Sequence, residues 1–164
     1  MAAIEKIKPG PGQESVWDYP RPPRIEVCKR KIRVMLNGSV IAETDNCLRV
    51  LETSHPPVYY INPEDISWDH FRKTTKTTFC EFKGLSSHYT VEVGDLKVVN
   101  GAWYYLSPTP DFAELKQHVA FYPSKFECYI GSERAQAQYG DFYGGWITSD
   151  IVGPFKGEPG TLNW

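Results

Sequence analysis

Residues 51–65, with the sequence LETSHPPVYYINPED, bring together side chains that can move protons. Glu52, His55 and Tyr60 fall within nine residues, on either side of a rigid proline pair. Histidine titrates near neutral pH, and a neighbouring carboxylate can orient its ring. The structural alternative is a strand that ends at Glu52 and a turn that holds His55. Because stiff loops place binding side chains accurately, we predict that these three residues belong to a site.

A second candidate set lies in residues 77–84, TTFCEFKG. Cys80 can act as a nucleophile if a base or a positive charge lowers its pKa, although a cysteine in a phenylalanine-rich strand is also a typical small core residue. Lys83 precedes Gly84 at the expected strand end, where its charge can reach a pocket rim and bind phosphate or carboxylate. An ordinary solvated lysine is the alternative for Lys83.

Residues 15–26, SVWDYPRPPRIE, contain three prolines, which exclude both a helix and pairing inside a sheet. A disordered segment would not need Trp17 and Tyr19, whose rings are best covered by protein. We therefore predict an ordered, extended strap that lies across a pocket and brings Arg21 or Arg24 to it. An arginine beside a pocket carboxylate such as that of Glu52 would also keep that carboxylate ionised.

Several aromatic residues could form a box that binds flat rings or cations. Tyr89 and Trp103 lie in predicted strands, and Trp17 and Trp68 could complete the box. Aromatic residues in strands usually belong to the core, so both interpretations stay open at this point.

The elements that must position these residues are mainly strands. Ile32, Val34 and Leu36 alternate with polar or less buried positions, and Asn37–Gly38 is typical of a tight hairpin turn. Further strands are predicted over residues 47–53, 77–84, 87–93, 96–106 and 125–130. The second and third of these are joined by GLS and the third and fourth by GD, with Asn100–Gly101 as a bend or second hairpin turn. One short helix is predicted to begin at Pro63-Glu64-Asp65, whose acids suit a first turn, and another over Asp111–Gln117. The pattern indicates an all-β, mainly antiparallel domain.

Composition limits the functional classes. The chain has 164 residues, of which 14% are aromatic, and a net charge of −2 without a basic stripe, so we predict neither nucleic-acid nor membrane binding. No apolar run is long enough to cross a membrane, and the first residues lack a signal-peptide core. The four scattered cysteines predict reduced thiols, no metal and no cofactor in a soluble cytoplasmic protein. We expect a mobile leader over 1–14, one β domain over 15–128, and a glycine- and aromatic-rich extension over 129–164 that packs back on it.

Five segments in order resemble the motifs of the bacterial domain-of-unknown-function family four-twenty-seven: ESVWDYPRPPRIE, GSVIAETDNCLRVLETSHPPVYYINPED, FCEFKGLSSHYTV, AWYYLSPTP and VAFYPSKFE. The resemblance implies a β-tent or Mss4-like fold, in which two small antiparallel sheets form a cleft. The family is sometimes labelled a nucleotidyltransferase, but the sequence shows no constellation for handling a triphosphate. The motif positions implied here are Arg21, Arg24, Glu52, Tyr60, Cys80, Lys83, Gly84, Trp103 and Tyr122.

Three functions are compatible with these residues. The first is a protein that binds a small anionic or nucleotide-like metabolite through Arg21, Arg24, His55, Lys83, Tyr89, Trp103 and Tyr122. The second is an enzyme in which Glu52 is the acid or base, Cys80 or Tyr60 is its partner and Lys83 stabilises charge. The third is an interaction protein whose C-terminal extension binds a protein partner or a second copy.

Overall fold

The structure is a computed structural model that describes residues 3–140 and 142–164. Within these residues, fifteen strands (β) and four 3-10 helices (η) form the secondary structure. In chain order they are β1 (Glu14–Ser15), η1 (Val16–Asp18), β2 (Arg24–Cys28), β3 (Ile32–Leu36), β4 (Ser39–Thr44), β5 (Cys47–Leu51), β6 (Val58–Tyr60), η2 (Pro63–Asp65), η3 (Trp68–His70), β7 (Phe71–Cys80), β8 (Gly84–Val93), β9 (Leu96–Tyr104), η4 (Pro110–Leu115), β10 (Val119–Phe121), β11 (Glu127–Ile130), β12 (Glu133–Arg134), β13 (Gln136–Ala137), β14 (Trp146–Ile147) and β15 (Ile151–Val152).

Three antiparallel sheets make up most of the molecule. Two have four strands, in the orders β10-β9-β8-β7 and β12-β11-β3-β4, and the third has three strands in the order β2-β5-β6. Two short pairs complete the fold, of which β13-β14 is antiparallel and β1-β15 is parallel. The predicted all-β, mainly antiparallel class is therefore confirmed.

The hairpin predicted at Asn37–Gly38 is confirmed. Both residues have positive φ, at 49° and 77°, as the favoured two-residue hairpin turn requires. The turn sets Leu36 opposite Ser39, and the alternation of β3 buries Ile32, Val34 and Leu36. Local sequence signals suffice here because the turn residues and the alternation point to the same register.

The strand predicted over 77–84 ends earlier than expected. Strand β7 stops at Cys80, residues 81–83 form the turn, and β8 begins at Gly84, so the predicted GLS connection is wrong. The sequence does not reveal this turn because Phe82 continues the apolar alternation of the strand. Asn100–Gly101 is a bend inside β9, not a hairpin turn, and the register between β8 and β9 shifts opposite it, between Tyr89 and Val91.

Both predicted short helices are present as 3-10 turns. Each has a proline in its first turn, where a fixed φ and a missing N–H are tolerated. The second spans Pro110–Leu115, so it begins and ends earlier than the predicted Asp111–Gln117. Among the residues that the structure describes, no helix has the length and apolar character needed to cross a membrane.

The sheets are joined into a larger layer. Ile61 and Val119 exchange backbone hydrogen bonds of 2.8 and 2.9 Å, which connect the end of β6 to the start of β10. The three-stranded sheet and the β10-β9-β8-β7 sheet therefore continue one another. One face of this layer covers the main apolar core, and the opposite face carries a second cluster around Tyr60, Trp103 and Tyr105.

Both ends of the chain contact the rest of the molecule. The predicted mobile leader is in contact with the domain from Ile7 onward, since the Ile7 N–H donates to the Gly153 carbonyl at 2.9 Å and Glu14 pairs with Ile151. The expected boundary at residue 128 falls inside β11, and Trp146 is fully buried in the main core. Composition could not show the contacts of Ile7 and Glu14, because their partners lie more than a hundred positions away in the chain.

Candidate functional site

A cavity of about 630 Å³ lies on the face of the layer opposite the main core. Its walls come from β5 and β6, from β7 and the turn after it, from β9, and from the C-terminal segment. The floor is the aromatic cluster around Tyr60 and Trp103. The site is therefore built from elements distributed along most of the chain.

Seven of the ten predicted site residues line this cavity. They are Glu52, His55, Tyr60, Cys80, Lys83, Trp103 and Tyr122. Glu52 and His55 come from the rigid loop between β5 and β6, and Cys80 and Lys83 flank the turn between β7 and β8. Arg21 lies just behind Glu52, and the other two predicted residues lie elsewhere.

The structure does not bring Arg24 or Tyr89 to the cavity. Arg24 is exposed on edge strand β2, and its guanidinium lies 3.6 Å from the Glu26 carboxylate. Tyr89 is buried in the main core, where its ring stacks on that of Tyr104 at 4.5 Å. The alternation that carries Trp103 to the cavity side of the layer places Tyr89 on the core side.

The strap holds Arg21 against Glu52. Thr53 anchors the strap by two hydrogen bonds. The Thr53 N–H donates to the Pro20 carbonyl at 3.1 Å, and the Thr53 hydroxyl donates to the Tyr19 carbonyl at 2.6 Å. Arg21 then donates to the Thr53 carbonyl at 2.8 Å, and its Nη2 lies 3.3 Å from Glu52 Oε2. The strap thus delivers an arginine to the back of the Glu52 carboxylate.

Glu52 is held as a carboxylate. Burial raises its pKa, whereas the hydrogen bond from His55, whose Nε2 lies 3.4 Å from Glu52 Oε2, lowers it. The positive charges of Lys83 and Arg21 lower it further, so that the pKa of Glu52 lies below its ordinary value. The cavity therefore contains a permanent negative charge at neutral pH.

The contacts of Gln138 define the tautomer of His55. Gln138 Oε1 accepts from the Gly145 N–H at 3.2 Å, and Nε2 donates to the Lys156 carbonyl at 2.7 Å. The same Nε2 lies 3.2 Å from His55 Nδ1, which must therefore accept. His55 Nε2 then carries the proton and donates to Glu52. Both ring nitrogens are engaged, which makes His55 an orienting group for Glu52.

Positive charge exceeds negative charge around the cavity. Four lysines line it, Lys76, Lys83, Lys125 and Lys156, against two glutamates, Glu52 and Glu81. Burial lowers the pKa of Lys83, but its contacts with Tyr60, Cys80 and Glu52 outweigh burial, and the pKa of Lys83 is raised. Lys83 therefore stays charged although it is half-buried.

The aromatic floor is polar at its edge. Trp103 Nε1 donates to the Tyr60 hydroxyl at 3.3 Å, and the Trp103 and Tyr122 rings lie 4.5 Å apart. Burial raises the pKa of Tyr60, so its phenol stays neutral at physiological pH. Tyr60 can donate or accept a hydrogen bond here, but it does not supply a phenolate.

The C-terminal segment supplies cavity residues that the sequence analysis did not assign to the site. Phe142, Tyr143 and Lys156 line the cavity. The Tyr143 ring lies 4.9 Å from that of His55, and the Lys156 ammonium lies 5.5 Å above the Tyr143 ring. Their signal in the sequence is the aromatic content of the extension, which predicts that it packs on the domain, with a partner surface as the alternative.

Metal ligands do not gather at the cavity or elsewhere in residues 3–140 and 142–164. Within these ranges, no group of three or more histidine, cysteine, aspartate or glutamate side chains is placed to hold a metal ion. The chemistry available from the side chains themselves is therefore anion binding by lysine, hydrogen bonding by Glu52 and Tyr60, and stacking on Trp103 and Tyr122.

The sequence matches one protein-family model. A family model described as "Domain of unknown function (DUF427)" matches residues 24–131, about two thirds of the chain. The match begins at β2 and ends just after β11, so it includes the seven predicted residues that line the cavity. The strap arginine Arg21 and the C-terminal cavity residues fall outside it. No curated protein matches the chain at a significant level.

Proposed function

The chain belongs to the DUF427 family, and from this premise we propose that it binds a small anionic metabolite with a flat ring, such as a nucleotide, in the aromatic cavity. The observation that carries the proposal is that Lys83, Glu52 and Trp103, from three separate segments, meet in one cavity. Its volume of about 630 Å³ is typical of small-molecule sites. A cleft between sheets, as in a β-tent, is part of this proposal.

The anionic group of the ligand is expected at the lysines. Lys83 is half-buried at the turn after β7, and Lys76 and Lys125 line the same cavity. An ammonium group in a partly dehydrated cleft attracts phosphate or carboxylate more strongly than the same group in water. The excess of lysine over glutamate favours an anion over a cation as the ligand.

The flat ring is expected on the aromatic floor and wall. Trp103 and Tyr122 lie against one another below the cavity, and Tyr143 closes it from the C-terminal side. Offset or edge-to-face contact with such rings stabilises a base or another aromatic group. The tilt of 44° between Trp103 and Tyr122 presents two ring surfaces to the same space.

Glu52 is expected to accept a hydrogen bond from the ligand. Its carboxylate is ionised, and His55 and Arg21 fix its orientation from behind. A carboxylate of this kind is suited to a hydroxyl or amino group, as on a sugar or a base. It would also disfavour ligands that carry only negative charge, which gives the cavity specificity as well as affinity.

One observation supports an enzyme as the second candidate. Cys80 and Lys83 line the same cavity and are separated by only two residues of the turn between β7 and β8. In this case Cys80 would attack a bound substrate while Lys83 stabilised the developing negative charge. The label of the family names nucleotidyl transfer, which is a reaction in which a nucleophile attacks and negative charge develops.

A thermal-shift screen tests the binding function. The purified full chain is screened against nucleotides, sugar phosphates, small carboxylates and quaternary amines. A ligand at a hundredfold its dissociation constant adds about 2.7 kcal/mol of stability, which raises the melting temperature measurably. Lys83→Met should abolish the response to any hit, whereas Lys73→Met, which changes an exposed lysine of β7 outside the cavity, should leave it intact.

The outcomes separate the candidates. A response from nucleotides or sugar phosphates that Lys83→Met and Glu52→Gln both remove supports the proposal. A response that neither variant changes places the ligand elsewhere and overturns it, as does the absence of a response in all four classes. If the protein converts a hit into a product, and Cys80→Ser stops this conversion but keeps binding, the protein is an enzyme and not only a binding protein.

A further inference from the structure

Cys28 and Cys47 face one another across two strands. Cys28 ends β2 and Cys47 begins β5, and the antiparallel register sets them directly opposite. Opposed residues in such a pair have Cα atoms about 4.5–5.5 Å apart, inside the range of about 4.4–6.8 Å that a disulfide spans. Both are free, buried thiols in the structure.

One of the two thiols borders a second cavity. This cavity has a volume of about 370 Å³ and includes Cys28, Arg30, Arg49 and Asp150 among its lining residues, whereas Cys47 is 1% exposed and does not line it. Cys28 is also buried, at 6% exposed, but it borders the cavity, so a small reagent that enters the cavity meets Cys28 before Cys47. Cys47 lies behind it in the position of a resolving thiol.

The surroundings of Cys28 favour its thiolate. Hydrogen bonding from Cys47 lowers the pKa of Cys28, burial raises it, and the backbone N–H of Arg30 and the charges of Arg49 and Arg30 lower it further. The net direction is downward for Cys28 and upward for Cys47. Arginine charge beside a thiol that borders a cavity, as at Cys28, favours a reactive cysteine.

The other two cysteines lack this arrangement. Cys128 is fully buried, lies opposite Val34 in the sheet, and has a pKa raised by burial. Cys80 lies opposite Gly84 at the aromatic cavity. The chain therefore contains its own internal controls for thiol reactivity.

We propose that Cys28 and Cys47 form a redox modification site, which hydroperoxides oxidise to an intramolecular disulfide and which small thiols reduce again. The inference rests on the opposed register and the one-sided access. It does not depend on the function of the aromatic cavity.

The oxidation proceeds in two steps. The Cys28 thiolate attacks one oxygen of the hydroperoxide, an S–O bond forms as the O–O bond breaks, and the departing oxygen takes a proton. The Cys47 thiol then loses its proton and attacks the Cys28 sulfur, so that the S–S bond forms as the S–O bond breaks and water leaves. The two thiols lose two electrons, and hydrogen peroxide is reduced to two molecules of water.

The test uses the reduced full chain and hydrogen peroxide. After peroxide treatment, free thiols are blocked with a maleimide and the protein is digested without reductant for mass spectrometry. The expected product is a peptide that links Cys28 to Cys47, is lost on treatment with dithiothreitol, and is lighter than the separate peptides by two hydrogens. Cys28 should be consumed about tenfold faster than Cys128 in the same molecule.

Two variants sharpen the result. In Cys47→Ala, peroxide should leave a sulfenic acid on Cys28 that dimedone traps, because the resolving thiol is absent. In Cys28→Ala, Cys47 should be no more reactive than Cys128. A linked peptide between chains, oxidation of all four cysteines at one rate, or survival of both thiols in the wild-type protein would overturn the proposal. If a variant fails to fold, the linked peptide in the wild-type protein still tests the proposal.

Discussion

Tyr59 and Tyr60 are neighbours in β6 and face opposite sides of the same layer. The Tyr59 ring lies 4.9 Å from that of Trp146 in the main core, and its hydroxyl has no hydrogen-bond partner among the described residues. The Tyr60 hydroxyl accepts from Trp103 Nε1 at 3.3 Å at the floor of the cavity. Both side chains are 1% exposed, so burial alone does not distinguish them.

The difference lies in what surrounds each ring. On the core side, the Tyr59 ring packs on Trp146 in the main apolar cluster, and its hydroxyl has no hydrogen-bond partner among the described residues. On the cavity side, the polar edges of the rings are satisfied, and Lys83 and Glu52 stand beside them. Satisfied aromatic groups beside fixed charges are typical of a recognition surface, whereas unsatisfied ones are tolerated where packing dominates.

The largest expected effect comes from emptying the core side. Trp146→Ala removes a fully buried ring and the hydrogen bond from its Nε1 to the Phe121 carbonyl at 3.1 Å. We expect a loss of about 3–5 kcal/mol in the free energy of unfolding, measured by urea denaturation. Trp103→Ala should cost less, because the space that it opens joins an existing cavity. An equal or larger loss for Trp103→Ala would remove the distinction between the two sides.

The next effect is expected at Gly144, behind the cavity wall. A Cβ at Gly144 would overlap the Trp103 ring, and φ of 73° already disfavours any other residue. Gly144→Ala should cost about 2–4 kcal/mol, from the backbone and from overpacking, and should weaken binding of any ligand found in the screen.

Gly131→Ala is the matched control for Gly144→Ala. Gly131 has φ of 60° and open space at the Cβ position, so only the backbone contribution of about 1–2 kcal/mol remains. Unfolding free energies and ligand affinities are measured for both variants. If the two alanines destabilise the protein equally, the wall behind Trp103 is not tightly packed.

Removing single hydroxyls should have smaller and opposite effects on the two sides. Tyr60→Phe deletes the acceptor for Trp103 Nε1 and should cost about 1 kcal/mol. Tyr59→Phe removes a buried hydroxyl that has no partner among the described residues, so stability should be unchanged or slightly higher. Thermal and urea unfolding of both variants check this. A larger loss for Tyr59→Phe than for Tyr60→Phe would contradict the assignment of the two faces.

The smallest effect is a pH dependence at Glu52. Because its folded pKa is below the unfolded value of about 4.3, ionised Glu52 adds stability above that pH, and this contribution disappears as pH falls through the folded pKa. The stability difference between the wild-type protein and Glu52→Gln should therefore be present at neutral pH and shrink under acid conditions. Urea unfolding at several pH values measures it, with exposed Glu81→Gln as the control. If the stability difference between the wild-type protein and Glu52→Gln grew in acid instead, burial would outweigh the positive neighbours and raise the pKa of Glu52.

Local signals were sufficient for the all-β class and for part of the site. The Asn37–Gly38 turn and the alternation of β3 depend on neighbouring residues only, so the sequence predicted them correctly. Glu52, His55 and Tyr60 were found together because one rigid loop and the strand after it place all three. Where a single segment holds the relevant side chains, spacing is enough.

The side of the layer to which a strand residue points, and the pairing of distant strands, could not be predicted in this way. In β8, residues on both faces are buried, so the apolar pattern did not show that Tyr89 points to the core while Trp103 in β9 points to the cavity. The bend at Asn100–Gly101 shifts the register between these strands and adds to the ambiguity. Strand alternation identifies two faces, but it does not say which of them borders a cavity.

The sequence by itself determined the strand-rich class, the hairpin and the loop of Glu52. The strap that it predicted as extended and unpaired over residues 15–26 instead contains the 3-10 turn η1 and the first residues of β2, which pairs with β5. Only the tertiary structure decided that Arg21 and not Arg24 reaches Glu52, that Tyr143 and Lys156 close the cavity, and that Cys28 lies opposite Cys47. The physical reason is the range of the interactions. Turn geometry and alternation act between neighbours, whereas packing and strand register join residues whose separation in the chain carries no signal of their contact.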